Sequence, residues 1–150
     1  MLIAPAVAAQ TSSARRYTSV AGCYTLTLGP WSGPFPSKMP EGHQPPRRFR
    51  LGVTGSDTAG DGTVYRNVTP NPPVFGKFQP EWGVRAPDTV TVFWSTGFVG
   101  VTLDLVGKGD TLLGRAKAFT DLQMPDIVQP WAAARAVRVA CPASLRPPAT

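Results

Sequence analysis

The sequence predicts an all-β domain, an antiparallel up-and-down meander of 8–9 strands closed into a barrel with little or no helix. Three observations predict it. Apolar residues recur with period two in run after run, and short turns rich in Gly and Pro separate the runs. No window of about eleven residues carries apolar positions at i, i+3, i+4 and i+7 between helix caps; Ala132-Ala133-Ala134 starts at most one helical turn. Finally, the two cysteines, Cys23 and Cys141, sit at the edges of the first and last strand-like runs. A disulfide needs Cα atoms about 4.4–6.8 Å apart, so a Cys23–Cys141 bridge would set the first and last strands side by side, as a closed barrel requires.

Taken in order, the first strand runs from Cys23 to Leu28, with Tyr24, Leu26 and Leu28 on one face and Thr25 and Thr27 on the other. A second, Arg48 to Thr54, turns Phe49, Leu51 and Val53 inward. The third spans Thr63 to Thr69 after the turn Ala59-Gly60-Asp61-Gly62. A weaker fourth covers Val74 to Phe78, and a fifth Glu81 to Arg85. Arg85-Ala86-Pro87-Asp88 places Pro for a type I turn, and Thr89 to Thr96 follows with Val90, Val92 and Trp94 against Thr91, Phe93 and Ser95. In Phe98 to Val106, Val99, Val101, Leu103 and Leu105 oppose Thr102 and Asp104. Gly107-Lys108-Gly109-Asp110 is a tight hairpin, Thr111 to Phe119 returns, and Ala133 to Cys141 ends the meander. Connections this short force antiparallel neighbours.

Two connections are long. The first, 30–46, holds six prolines with Trp31, Phe35 and Met39; the second, 120–132, holds Leu122, Met124, Ile127, Val128 and Trp131, broken by Pro125 and Pro130. Loops beyond about 12–15 residues in a compact domain are usually functional or disordered. The apolar content of both argues that they fold back over something.

With 150 residues the chain is one domain, large enough for a true core. Residues 1–9 read as the apolar end of a signal peptide without its basic start, 10–21 as a disordered linker, 22–141 as the barrel and 142–150 as a disordered tail. This places the protein outside the cytoplasm, secreted or periplasmic. Val20-Ala21-Gly22-Cys23 also has the form of a lipobox, which would instead anchor a lipoprotein through Cys23. The polar stretch before it, and the even cysteine count, favour the disulfide. No apolar run is long enough for a transmembrane helix.

The formal charge of +6 is uneven: Arg15, Arg16 and Arg146 flank the barrel, leaving twelve basic against nine acidic residues inside it. The one dense cluster, Arg47-Arg48-Phe49-Arg50, alternates Arg48 and Arg50 outward and Phe49 inward, a solvated strand face. No nucleic-acid partner is expected.

Catalytic and metal chemistry has little to stand on. The single histidine, His43, lies in a Pro-rich loop without a Gly-x-Ser-x-Gly elbow and reads as solvated. Two cysteines and one distant histidine do not make a tetrahedral metal set, and Asp57 to Gly62 lacks calcium-loop spacing. No cofactor is expected. Arg66 interrupts the apolar alternation of Val64 and Val68: either its strand turns it outward, or it points into the barrel toward a carboxylate of the protein or a ligand.

Gly22-Cys23-Tyr24 and the basic residues of the last strand, with a long loop after the first strand and paired first and last strands, resemble the lipocalin-like (calycin) β-barrel superfamily. There a Gly-x-Trp opens the first strand and an Arg or Lys of the last strand packs across the Trp at the closed end. By resemblance Tyr24 takes the Trp position and Arg135 or Arg138 the basic one. The implied function is non-catalytic binding of a small hydrophobic or amphipathic molecule inside the barrel. Interior candidates are Tyr65, Trp82, Phe93 and Trp94, with Arg66, and with Trp31, Phe35 and Trp131 at a mouth. The alternative is a filled barrel that acts as a structural or protein-interaction module of the bacterial cell envelope.

Overall fold

The structure is a computed structural model and describes residues 19–33, 43–53, 56–59, 62–65, 67–85, 88–120 and 129–147. Its ten strand segments are β1 (Gly22–Leu28), β2 (Arg48–Leu51), β3 (Ser56–Ala59), β4 (Gly62–Tyr65), β5 (Val68–Thr69), β6 (Glu81–Arg85), β7 (Thr89–Ser95), β8 (Val99–Lys108), β9 (Thr111–Thr120) and β10 (Trp131–Val139). All belong to one antiparallel sheet.

Four of the segments are halves of two longer strands. β2 pairs with β5 through Arg50↔Thr69 and Leu51↔Val68, and β3 pairs with β4 from Ser56↔Tyr65 to Ala59↔Gly62. β2 with β3, and β4 with β5, thus form the two sides of one hairpin whose pairing resumes with an offset. Counted this way there are eight strands in up-and-down order. β4 meets β6, each later strand pairs with the next, and β10 returns to β1 with Cys23↔Val139 through Leu28↔Ala134. The result is a nearly closed barrel, and a closed sheet leaves no long edge for stray pairing.

Alternation divides each strand between core and solvent. Val99, Val101, Leu103 and Leu105 of β8 are buried, and Thr102 and Asp104 between them are partly exposed. β9 and β10 line the interior with small residues, Ala116, Ala118, Ala132, Ala134 and Ala136. Tyr24, Phe49, Trp82 and Trp94 are large and fully buried, so small walls receive large rings. The rings touch in series: Tyr24 stacks on Phe49 at 5.6 Å, and Phe49 meets Trp94 edge-on at 5.7 Å. Both indole N–H groups are satisfied, Trp82 Nε1 by the Gly52 carbonyl at 2.6 Å and Trp94 Nε1 by the Pro70 carbonyl at 3.3 Å.

The up-and-down order sends the two ends of the barrel different connections. Residues 29–33, 43–47, 70–80, 96–98 and 129–130 lie at one end, here the loop end. The approach to β1, the Gly109-Asp110 turn and the exit from β10 lie at the other, the closed end.

Several sequence expectations change. Val74 to Phe78 is not a strand: Pro72 and Pro73 bend the chain into a 3-10 turn, Pro73–Phe75, because proline fixes φ and cannot donate to a ladder. Phe75 is driven into the core at the loop end, with no exposure. β3 was not expected at all. Val53, expected inward, is exposed because β2 ends at Leu51. The tail after Cys141 is not free through residue 147: Ala143–Leu145 form a second 3-10 turn that buries Leu145, and Arg146 Nε bonds the Cys141 carbonyl at 3.2 Å. The end of the expected linker also packs, since Val20 and Ala21 lie against the core.

Candidate functional site

At the closed end, the start of β1 and the residues after β10 are locked together. Cys23 and Cys141 form a disulfide with Cα atoms 5.2 Å apart. In the neighbouring register pair, Tyr24↔Arg138, the guanidinium lies 5.1 Å above the phenol ring. Its Nη1 donates to the Ala21 carbonyl at 2.7 Å, and its Nη2 donates to the Ser19 carbonyl at 2.6 Å and the Tyr24 hydroxyl at 2.8 Å. The Tyr24 hydroxyl donates in turn to the Val20 carbonyl at 2.6 Å. Burial raises the Tyr24 pKa; the Arg138 charge opposes that shift and Asp110 adds to it. Gly22 is needed here, because its φ of +149° is unfavourable for other residues and a Cβ would fall on the Arg138 guanidinium. Of the two basic candidates Arg138 occupies this place. Arg135 is exposed on the outer face, opposite Thr27 and Leu113.

The residues expected inside the barrel separate into groups. Trp82 and Trp94 are core, and Tyr65 stacks on Trp82 at 5.1 Å. Phe93 is not interior: it alternates outward from Val92 and Trp94 and stacks on Phe119 at 5.2 Å with planes 8° apart. Trp131 is 40% exposed on the outer wall, with the Arg115 guanidinium 4.5 Å above its ring. Trp31 is half-buried at the loop end, where its Nε1 donates to Gln44 Oε1 at 3.2 Å. Phe35 and Arg66 lie outside the described residues.

Exposure decides whether the interior has room. Phe49, Phe75, Val92, Trp94, Val101, Leu103, Leu105, Ala116, Ala118 and Ala136 are each 0% exposed. A void large enough for one water molecule would leave exposed surface on the side chains around it. None of these ten has any, so no water-sized void borders them.

Among the described residues, open space lies at the seam between β1 and β2. These strands pair through Thr25↔Arg48, and the last bond of the ladder is Leu26 N to the Arg47 carbonyl at 2.7 Å. Pro45 and Pro46 have no N–H with which to extend it. β1 continues along β10 to Leu28, while the chain before Arg47 leads away to His43, which packs edge-on against Phe75 at 5.6 Å. The diverging segments enclose a cleft of about 610 Å³. Its lining is mixed: Leu26, Leu28, Trp31 and Pro45 are apolar, and Thr25, Thr27, Gln44, Arg47 and Arg48 are polar or charged. Arg47 and Arg48 are exposed, and among the described residues neither forms an ion pair.

Sequence reasoning placed Trp31 at a mouth but missed its partners here. Arg48 was read as part of a solvated strand face, and its exposure agrees with that reading. The missed signal was Pro45-Pro46 immediately before a strand, which marks where a ladder must stop.

Two buried polar side chains among the described residues have structural surroundings. His43, expected to be solvated, is 6% exposed because the loop folds it onto Phe75. Buried Ser95 serves its own turn: its hydroxyl accepts from Gly97 N at 2.8 Å and donates to the Val99 carbonyl at 3.3 Å. Among the described residues no three His, Cys, Asp or Glu side chains gather as a metal site, and no helix is long and apolar enough to cross a membrane. No family model matches this chain, and no curated protein or solved structure matches it either.

Proposed function

We propose that this protein is an exported, non-catalytic binding module of the bacterial cell envelope, with a lipocalin-like barrel that serves as a filled scaffold and recognises its partner at the loop end. The observation that carries this reading is the packed interior: ten core side chains without any exposed surface leave no room beside them for a ligand. The lipocalin-like assignment draws support from the Tyr24–Arg138 packing at the closed end. Export draws support from the disulfide, which persists in oxidising compartments. At the loop end, Phe78 and Phe98 are 57% and 73% exposed, and the seam cleft opens beside Trp31. Rigid scaffolds commonly carry recognition on loops.

The four tryptophans supply the test, because each indole N–H gives its own NMR signal. Titration with fatty acids, retinoids and haem should leave the Trp82 and Trp94 signals in place. A saturable shift of either one, with any of these ligands, would restore the reading in which the interior holds the ligand.

A further inference from the structure

We propose that the outer wall of β8, β9 and β10 docks on an anionic lipid surface. This wall runs along the side of the barrel rather than across its loop end. Alternation identifies its members. Leu112, Ala116 and Ala118 of β9 are buried, so Leu113, Arg115 and Lys117 face outward; Ala132 and Ala134 of β10 are buried, so Trp131 and Arg135 face outward. Register makes them one patch. Val106 pairs with Leu113, and Leu113 with Arg135; Asp104 pairs with Arg115; Lys117 pairs with Trp131. Adjacent strands lie about 4.8 Å apart and alternate residues of one strand about 6.6 Å apart, so these side chains are immediate neighbours.

Charge on this wall is unbalanced. Lys108, Arg115, Lys117 and Arg135 are exposed, and Asp104 is the one carboxylate that the three strands carry. Asp104 is already engaged: its Oδ2 lies 2.9 Å from Lys117 Nζ, and its Oδ1 accepts from the Thr91 hydroxyl at 3.1 Å. Its register partner Arg115 instead covers Trp131, 4.5 Å from the ring centre. Among the described residues neither Arg115 nor Arg135 forms an ion pair. The side of the barrel around β6, with Glu81 and Asp88 against Arg85, has no such excess.

The apolar side chains between the cations decide the partner. Val106 and Leu113 are 51% and 42% exposed, and Trp131 stands beside them. An acidic polymer would use the cations alone. A lipid headgroup region uses every member: phosphates meet the guanidinium groups, and the boundary with the acyl chains takes the indole and the aliphatic side chains. Stacking of a sugar or base on Trp131 is opposed by Arg115, which already covers one face of the ring. The outside of a closed barrel is convex, so a protein partner would need a matching hollow, whereas lipid headgroups rearrange around it.

Sedimentation of the full chain with vesicles of phosphatidylcholine and phosphatidylglycerol in equal parts tests the proposal. Binding is expected, at least tenfold weaker to pure phosphatidylcholine and weaker as salt is raised. R115Q/R135Q should bind at least tenfold more weakly, and Leu113→Ser, which leaves the charge unchanged, should also weaken binding. The substituted residues are exposed, and an unchanged melting temperature shows that each variant is folded. Arg85→Gln, on β6, should bind like the parent. In bicelles of the same composition, a nitroxide-labelled lipid should broaden the Trp131 indole signal more than those of Trp31, Trp82 and Trp94. Absence of vesicle binding, equal binding to both compositions, or full binding by R115Q/R135Q would overturn the proposal. So would equal binding of soluble polyglutamate together with full vesicle binding by Leu113→Ser, which would mark a charge-only site for an acidic polymer. Loss of vesicle binding in F78A/F98A, with R115Q/R135Q unaffected, would place the contact at the loop end instead.

Discussion

Arg138 illustrates how one side chain can fix a barrel end. Its guanidinium satisfies two backbone carbonyls of the segment leading into β1 while covering the Tyr24 ring. Arg138→Met keeps much of the apolar stem but forfeits these bonds, and we expect a loss of about 2–3 kcal/mol in urea unfolding. Arg135→Met, on the same strand but exposed, should stay within about 0.5 kcal/mol of the parent. Tyr24 adds a pH signature. Its pKa is raised in the folded state, so between its ordinary value of 10.0 and the folded value the unfolded chain loses the proton first. The contribution of this group is therefore fully present below pH 10 and declines as pH rises through the folded pKa. Stability measured from pH 9 upward should fall more steeply for the parent than for Tyr24→Phe, and absorbance at 295 nm should show one tyrosine titrating late.

The strands show where close packing constrains an element. A Cβ at Gly114 of β9 would collide with the Asp104 carbonyl of β8, so even Gly114→Ala must push two paired strands apart. We expect this variant to lose about 2 kcal/mol or more by thermal or urea unfolding. Gly33→Ala, where the added methyl meets nothing within 4 Å, should be neutral. The same scale explains what could be read from sequence. β6 was legible residue for residue, and β1 and β7 to within one or two residues, because Val, Leu and Trp alternate cleanly with polar residues there. β3 was not, because Ser56-Asp57-Thr58-Ala59 has no apolar alternation and is defined by its backbone pairing to β4. The alanines facing inward from β9 and β10 are missed for the same reason: a methyl group is a weak marker of burial, yet their small size leaves space for the buried aromatic rings. The seam cleft was illegible because it depends on two strands parting, which no single run of residues encodes.

For the molecule as a whole, the disulfide joins half-cystines 118 residues apart. In the chain-entropy picture, closing so long a loop contributes about 4–5 kcal/mol, an upper figure because residual unfolded-state structure reduces it. Cys23→Ala/Cys141→Ala should therefore remain a folded barrel with a clearly lower denaturation midpoint. Because β1–β10 pairing already seals the same seam, loss of native near-UV circular dichroism in that variant at room temperature would show the bridge to be essential rather than supplementary. The seam also bears on the speed of folding. Loop-closure entropy must be met before distant contacts can reward it, so pairing the first strand with the last is a slow step by topology alone. In a cysteine-free background, a circular permutant that joins the chain across the Cys23–Cys141 end, with new termini at the Gly109-Asp110 turn, makes that pairing local but moves the non-local pairing to β8 and β9, so in stopped-flow refolding it should reach the native state at a rate similar to that of the natural order.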